Sequence, residues 1–285
     1  MTSDEPFLGS EAVASGTLRR DQLRSRFRAV LPDVYVRRDE QLTLREHAVA
    51  AWLWSHRQGV LAGQTAAAWH GSKLVDEQQP VELIWSNARP PRGVRTYDMK
   101  LRPEEFSVFV SVPVTTPPRT VFDIGRLEPI GVAIAQMDAL MRATGVKVHE
   151  VHELADRHPG ARGLRQLEAA LDLVDTGSQS PKETWLRLVL IRAGLPRPTT
   201  QISVMTAAGT PMYYLDMGWE HLMVAVEYDG EHHRLDRWQY TRDIRRREAL
   251  DRLGWIVIRV IAADRPADVI GRVRDALEFR ASSLR

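Results

Sequence analysis

The sequence predicts a multidomain chain of mixed α+β and α/β class. Three observations predict it. The chain has 285 residues, more than the ~100–200 of one ordinary domain. Apolar residues recur at helical spacing in some segments and alternate in strand fashion in others. Past the turn-rich DTGSQSP (175–181) the order becomes helix, three strands, helix, strand, helix, which describes an α/β sandwich. The expected divisions are 1–60, 61–178 and 179–285.

The first ten or so residues read as disordered. Residues 10–29 read as helix–turn–helix, with Thr17 as N-cap of LRRDQLRSR. VLPDVYVRR (30–38) alternates like a short hairpin. Two helices and a small β-wing make a winged-helix pattern. Arg19, Arg20 and Arg24 then stand where such folds meet DNA phosphates. A packing module with solvent-facing arginines is the other reading. Thr43 and Glu46 make a capping box for TLREHAVAAWLWSHR (43–57). GQTAAAWHG (63–71) reads as a short helix of small residues. VELIWS (81–86), VRTYDM (94–99) and FSVFVSVPVT (106–115) read as strand regions. TTPPRTVFDIGRL (115–127) enters a helix through Pro-Pro, and helices follow near 129–143, 147–157 and 161–174.

SPKETWLRLVLIRAGL (180–195) is an amphipathic helix. Strands follow near 200–205, 211–218 and 222–228, then a basic helix near 236–252, the strand WIVIRV (255–260) and a helix near 266–279.

Composition narrows the function. Apolar content of 44% and charged content of 27% suit a soluble globular protein. The net charge of +2 and a pI of about 9.0 are too mild to argue for nucleic acid alone. Arginine is concentrated in LRRDQLRSRFR (18–28) and RDIRRRE (242–248), runs that also fit solvated helix faces. Cysteine is absent, which removes thiolate catalysis and cysteine zinc sites. No apolar run of about 18 residues suggests a membrane span, and MTSDEPFLGSE lacks signal-peptide character. A cytoplasmic location is expected.

The chemistry concentrates in VAVEYDGEHH (224–233) and YYLDMGW (213–219). A hairpin centred on the intervening WEHL puts Asp216 nearly opposite Glu227, with Asp229 on the same face as Glu227. Like charges facing each other destabilise a sheet unless a cation lies between them. Magnesium takes one or two protein carboxylates and keeps water elsewhere. Glu183, in the first turn of its helix, either complements the helix N-terminus or joins the ion. Such a site suits phosphodiester hydrolysis. His233, in preference to His232, is the proton-transfer candidate. Arg242, Arg245, Arg246 and Arg247 can engage a phosphate backbone. An internal Asp243–Arg246 pair at i, i+3 fits equally.

SPKE, Asp216, EYDGEHH, DIRR and LGWIVIR, in that order over 179–279, resemble the very-short-patch-repair (Vsr)-like endonucleases of the PD-(D/E)XK superfamily. The resemblance implies a restriction-endonuclease-like sandwich and a Mg²⁺- or Mn²⁺-dependent endodeoxyribonuclease. Asp216 and Glu227 match the metal-binding pair, and Glu183 matches the acidic residue of the first helix. His233 matches the histidine after the glycine, and Asp243 and Arg246 match the polar pair on the next helix. Asp229 departs from the wider superfamily, which has lysine there. Residues 8–175, with TTPPRTVFDI as the most characteristic piece, resemble AbiEi-type antitoxins. That resemblance implies promoter DNA and a nucleotidyltransferase-type toxin as partners.

The leading expectation is therefore a metal-dependent DNA endonuclease targeted by an N-terminal winged helix. The alternative is a non-catalytic DNA-binding regulator or antitoxin. An RNA-directed or structure-specific nuclease is a third reading. HEVHE (149–153) has its histidines at i and i+3, not the i and i+4 of a zinc helix, so exposed helix is expected there. Trp52, Trp54 and Trp69 are expected in packing.

Overall fold

The computed structural model describes residues 5–74, 76, 78–206, 209–230 and 237–283, the last segment with its side chains from residue 243 onward. The fold is mixed α+β, with three sheets among the described residues. The chain divides into two compact units, Met1–Leu171 and Asp172–Arg285.

The first unit opens with β1 (Phe7–Leu8), α1 (Gly9–Ala14), α2 (Arg20–Arg26), β2 (Phe27–Leu31) and β3 (Val34–Arg37). The residues from Phe7 onward are thus built into structure rather than disordered. β1, β3 and β2 form a three-stranded antiparallel sheet. Thr17 does not cap α2. The N-cap is Arg19, whose backbone N–H donates to Gln22 Oε1 at 3.0 Å. Thr17 bonds instead with Ser15 Oγ, in the turn through Gly16 (φ 74°). α3 (Leu44–Trp54) begins at the expected capping box: Glu46 N–H donates to Thr43 Oγ1, and Thr43 N–H donates to Glu46 Oε2 at 2.7 Å.

A five-stranded sheet follows, built from β4 (Val60–Leu61), β5 (Val81–Ile84), β6 (Val94–Tyr97), β7 (Phe106–Phe109) and β8 (Val112–Thr115) in the order β6-β5-β4-β8-β7. α4 (Gly63–Trp69), α5 (Pro117–Leu127), α6 (Ile130–Thr144), α7 (Val148–Asp156) and α8 (Leu164–Leu171) complete the unit. Trp52, Trp54 and Trp69 are partly buried against the core of this sheet, as expected. His149 and His152 of α7 are exposed. The PPRT motif has a structural use. Arg119 is 2% exposed and bridges two buried carboxylates, Glu105 and, at 2.8 Å, Asp123. His158 Nε2 closes the cluster against Glu105 at 2.6 Å.

The second unit has α9 (Pro181–Arg192), β9 (Thr199–Met205), β10 (Pro211–Trp219), β11 (Val224–Tyr228), α10 (Arg237–Arg252), β12 (Ile256–Val260) and α11 (Pro266–Ser283). The sheet order is β12-β11-β10-β9. β11 is antiparallel to β10 and parallel to β12. One core joins α9 and α11 to the sheet through Leu186, Leu190, Met217, Val226, Val269 and Val273. A second lies under α10, through Leu215, Ala225, Leu250 and Trp255. The turn-rich segment is tied to this unit. Arg187 Nε donates to Ser178 Oγ at 3.1 Å, and Arg197 donates to the carbonyls of Asp172 and Val174 at 2.8 Å. Among the described residues, no helix is long and apolar enough to cross a membrane.

Candidate active site

The β10–β11 hairpin turns through Glu220–Leu222 and Met223, whose φ of 51° lets the chain reverse. Its register pairs Met217 with Val226, Gly218 with Ala225 and Trp219 with Val224. One further step along that register sets Asp216 against Glu227. Gly218 permits the close approach: a Cβ there would lie 2.3 Å from Val224 O.

Asp216 sits at an interruption. On its other side, Leu215 pairs with Ile202 and Met217 with Thr200, and no bridge joins Asp216 to Gln201, whose φ is 50°. Leu215 belongs to the core under α10, while Met217 belongs to the core of α9 and α11. Strict alternation would put both on one face. The Asp216 side chain turns toward β11, where Oδ2 accepts the Tyr228 N–H at 2.9 Å.

Asp216, Glu227, Asp229 and Asp243 line one open cleft of about 190 Å³ with Arg246 and Arg259. Glu227 is 6% exposed. Burial pushes the Asp216 carboxyl above the usual range, against the pull of the Tyr228 N–H and Arg246. Burial also raises Glu227; Arg246 opposes the rise, and the Asp216 charge adds to it. A pair of carboxylates is thus held together with its negative charge only partly compensated.

Arg246 supplies that compensation from α10. Its Nη2 donates to Glu227 Oε1, its Nη1 lies 3.4 Å from Oε2, and Nη2 also donates to the Tyr214 carbonyl at 2.8 Å. Arg246 therefore pairs with Glu227 rather than with Asp243, because α10 lies over the strand that presents Glu227. Asp229 follows the end of β11. Its N–H donates to Val260 O at 2.8 Å, and its Oδ2 lies 4.0 Å from Arg259 Nη1.

Glu183 is not in this cleft. Ser180 Oγ caps the Glu183 N–H at 3.1 Å, and Glu183 Oε2 accepts the Gln179 N–H at 2.8 Å. The carboxylate closes the start of α9 and is not among the residues that line the cleft. Among the described residues, no group of three or more His, Asp or Glu is arranged to hold a metal ion. His232 and His233 lie outside the described residues, as does the Arg242 side chain. Arg245 and Arg247 are exposed on α10, and Arg19, Arg20 and Arg24 are exposed at α2. Arg19 pairs with Asp21 at 3.3 Å.

Arg259 was not singled out from the sequence. The pattern WIVIRV shows an arginine on a strand, and only the parallel register sets it beside Glu227.

No protein-family model matches the chain. Two uncharacterized proteins of Mycobacterium tuberculosis, MT2308 and Rv2248, are each 27% identical over 150 residues, 53% of this chain and 55% of theirs. The chain thus spans about half the length of these relatives. The crystal structure of the RV2827C protein from Mycobacterium tuberculosis is similar at a TM-score of 0.42 and 13% identity, over 72% of this chain and 85% of that one.

Proposed function

We propose that the second unit is a restriction-endonuclease-like, Vsr-type nuclease domain that hydrolyses phosphodiester bonds of DNA with Mg²⁺ or Mn²⁺. The observation that carries this reading is the Asp216–Glu227 pair. The buried Glu227 and the half-buried Asp216 are held face to face, at a cost to the sheet, with their pKa values raised. The donor set fits a hard cation: two carboxylates in an open cleft that leaves room for water. A divalent ion there would lower the pKa of bound water and polarise a phosphoryl oxygen. Asp216 and Glu227 would hold it, the Tyr228 N–H fixing the Asp216 rotamer. The arginines of α10 would meet the DNA backbone. In the first unit, α1, α2 and the β2–β3 hairpin have the order of a winged helix, and exposed Arg19, Arg20 and Arg24 suit phosphate contact.

Incubation of the purified chain with plasmid, single-stranded and mismatched DNA, with and without Mg²⁺ or Mn²⁺, tests the reading. Glu227→Gln is expected to abolish metal-dependent cleavage with the fold retained. Undiminished cleavage by that variant refutes the site.

A second reading is a non-catalytic DNA-binding regulator or antitoxin, with a nucleotidyltransferase-type toxin as partner. The pairing of Arg246 with Glu227 favours it, because the dyad is already part-neutralised by the protein itself. Asp229, at the position where the wider superfamily has lysine, favours it too. Cleavage by the wild type that is lost in an Asp216 variant removes this reading.

A further inference from the structure

The two arginines of the acidic cleft are in different states. Arg246 donates to Glu227 and to the Tyr214 carbonyl. Arg259 lines the same cleft, on the strand next to Glu227 and in register with it. Paired residues of neighbouring strands share a sheet face, so its side chain rises beside the dyad. It is 27% exposed, and the nearest carboxylate among the described residues, Asp229, is 4.0 Å away, beyond hydrogen-bond range. Among the described residues its guanidinium donates no hydrogen bond, although the group carries five N–H donors. A half-buried guanidinium in an open cleft, with no hydrogen bond to the described residues, is available to an anion.

Its position says where that anion lies. Arg259 also lines a second groove, with Arg247 and Arg272. Arg272 is committed to Asp264 at 2.8 Å and to the Arg259 carbonyl at 3.0 Å. Arg247 is exposed. Arg259 thus lines both the carboxylate cleft and a groove that holds Arg247, Arg272 and Asp251, so a backbone phosphate bound beside the dyad on that side would contact it.

We propose that Arg259 is the phosphate-contacting cation of this site. This rests on the nuclease-site reading above. It supplies the positive charge that a carboxylate at position 229 cannot. The bidentate geometry of a guanidinium matches two oxygens of one phosphodiester.

The test uses the full chain and two variants, Arg259→Met and Arg259→Lys, each checked for retained secondary structure. Binding to a short labelled DNA duplex is measured across a salt series in Ca²⁺. Arg259→Met is expected to lower the slope of log K against log salt by about 1, and Arg259→Lys to restore it. In Mg²⁺ the single-turnover cleavage rate of Arg259→Met at saturating protein is expected to fall about 10²-fold, and Arg259→Lys to recover part of it. An unchanged salt slope in Arg259→Met overturns the proposal, whatever the cleavage rate. A reduced slope with no cleavage by the wild type upholds the phosphate contact and removes the endonuclease reading instead.

Discussion

Asp216 on β10 turns its carboxylate into the backbone of β11, where Oδ2 accepts the N–H of Tyr228 at 2.9 Å. This bond replaces a rung of the ladder and leaves the charge of Asp216 beside that of Glu227. Asparagine keeps the acceptor and removes the charge. Because burial raises the folded pKa of Asp216, its stabilising protonated form is fully present below the ordinary Asp value of ~3.9 and is lost as pH rises through the folded pKa. Asp216→Asn is therefore expected to be more stable than the wild type at pH 7 in a chelator, by on the order of 1 kcal/mol. The advantage should vanish in acid. Thermal melts across pH check it, and a wild type that is the more stable at neutral pH contradicts it.

On the proposed metal site, Arg246 and a divalent ion would compete for Glu227. Removing the guanidinium leaves a nearly buried carboxylate with less compensation. Arg246→Gln is expected to destabilise the metal-free chain by about 1–3 kcal/mol, below the ~3–5 of a fully buried pair because Arg246 is 26% exposed. The rise in Tm on adding Mn²⁺ should be larger than in the wild type, since ligands of the native state stabilise it by mass action. An equal rise in both proteins shows that no competition exists.

The cluster of Arg119, Glu105 and Asp123 predicts a different kind of loss. Arg119→Met keeps the length of the side chain and leaves Glu105 with only His158 and Asp123 with only Arg126 as side-chain partners, in carboxylates that are 1% and 2% exposed. The expected cost is ~1–3 kcal/mol, below the ~3–5 of an unpaired buried charge because one partner remains for each, read as an earlier urea transition of the first unit. The second unit should unfold at its usual midpoint, so a shift confined to the second transition counts against the assignment.

Much of the local structure was legible in the sequence. The Thr43–Glu46 capping box and the Pro-Pro entry of α5 depend on residues within four positions of each other. The facing of Asp216 and Glu227 was legible too, because a short connection and period-two alternation set the register of a hairpin. The same logic failed at Thr17, where the turn through Gly16 delays the start of α2 to Arg20. It also missed the change of core between Leu215 and Met217, which accompanies a positive φ at Gln201, a residue with no sequence signature for it.

The sequence by itself determined most of the order of elements, the Thr43–Glu46 capping box, the mixed α+β class and the two strands that bring Asp216 and Glu227 together. All of these follow from short-range sterics and the periodicity of apolar residues. Tertiary structure alone decided which charges meet. Arg246 could face Asp243 on its own helix or Glu227 across the sheet, and the seating of α10 chose Glu227. Glu183 was turned to the Gln179 N–H at the start of α9. Arg259 came into the cleft through the parallel pairing of β12 with β11, strands separated by a whole helix. Electrostatic partners depend on distances between elements far apart in the chain, and no local pattern encodes those distances.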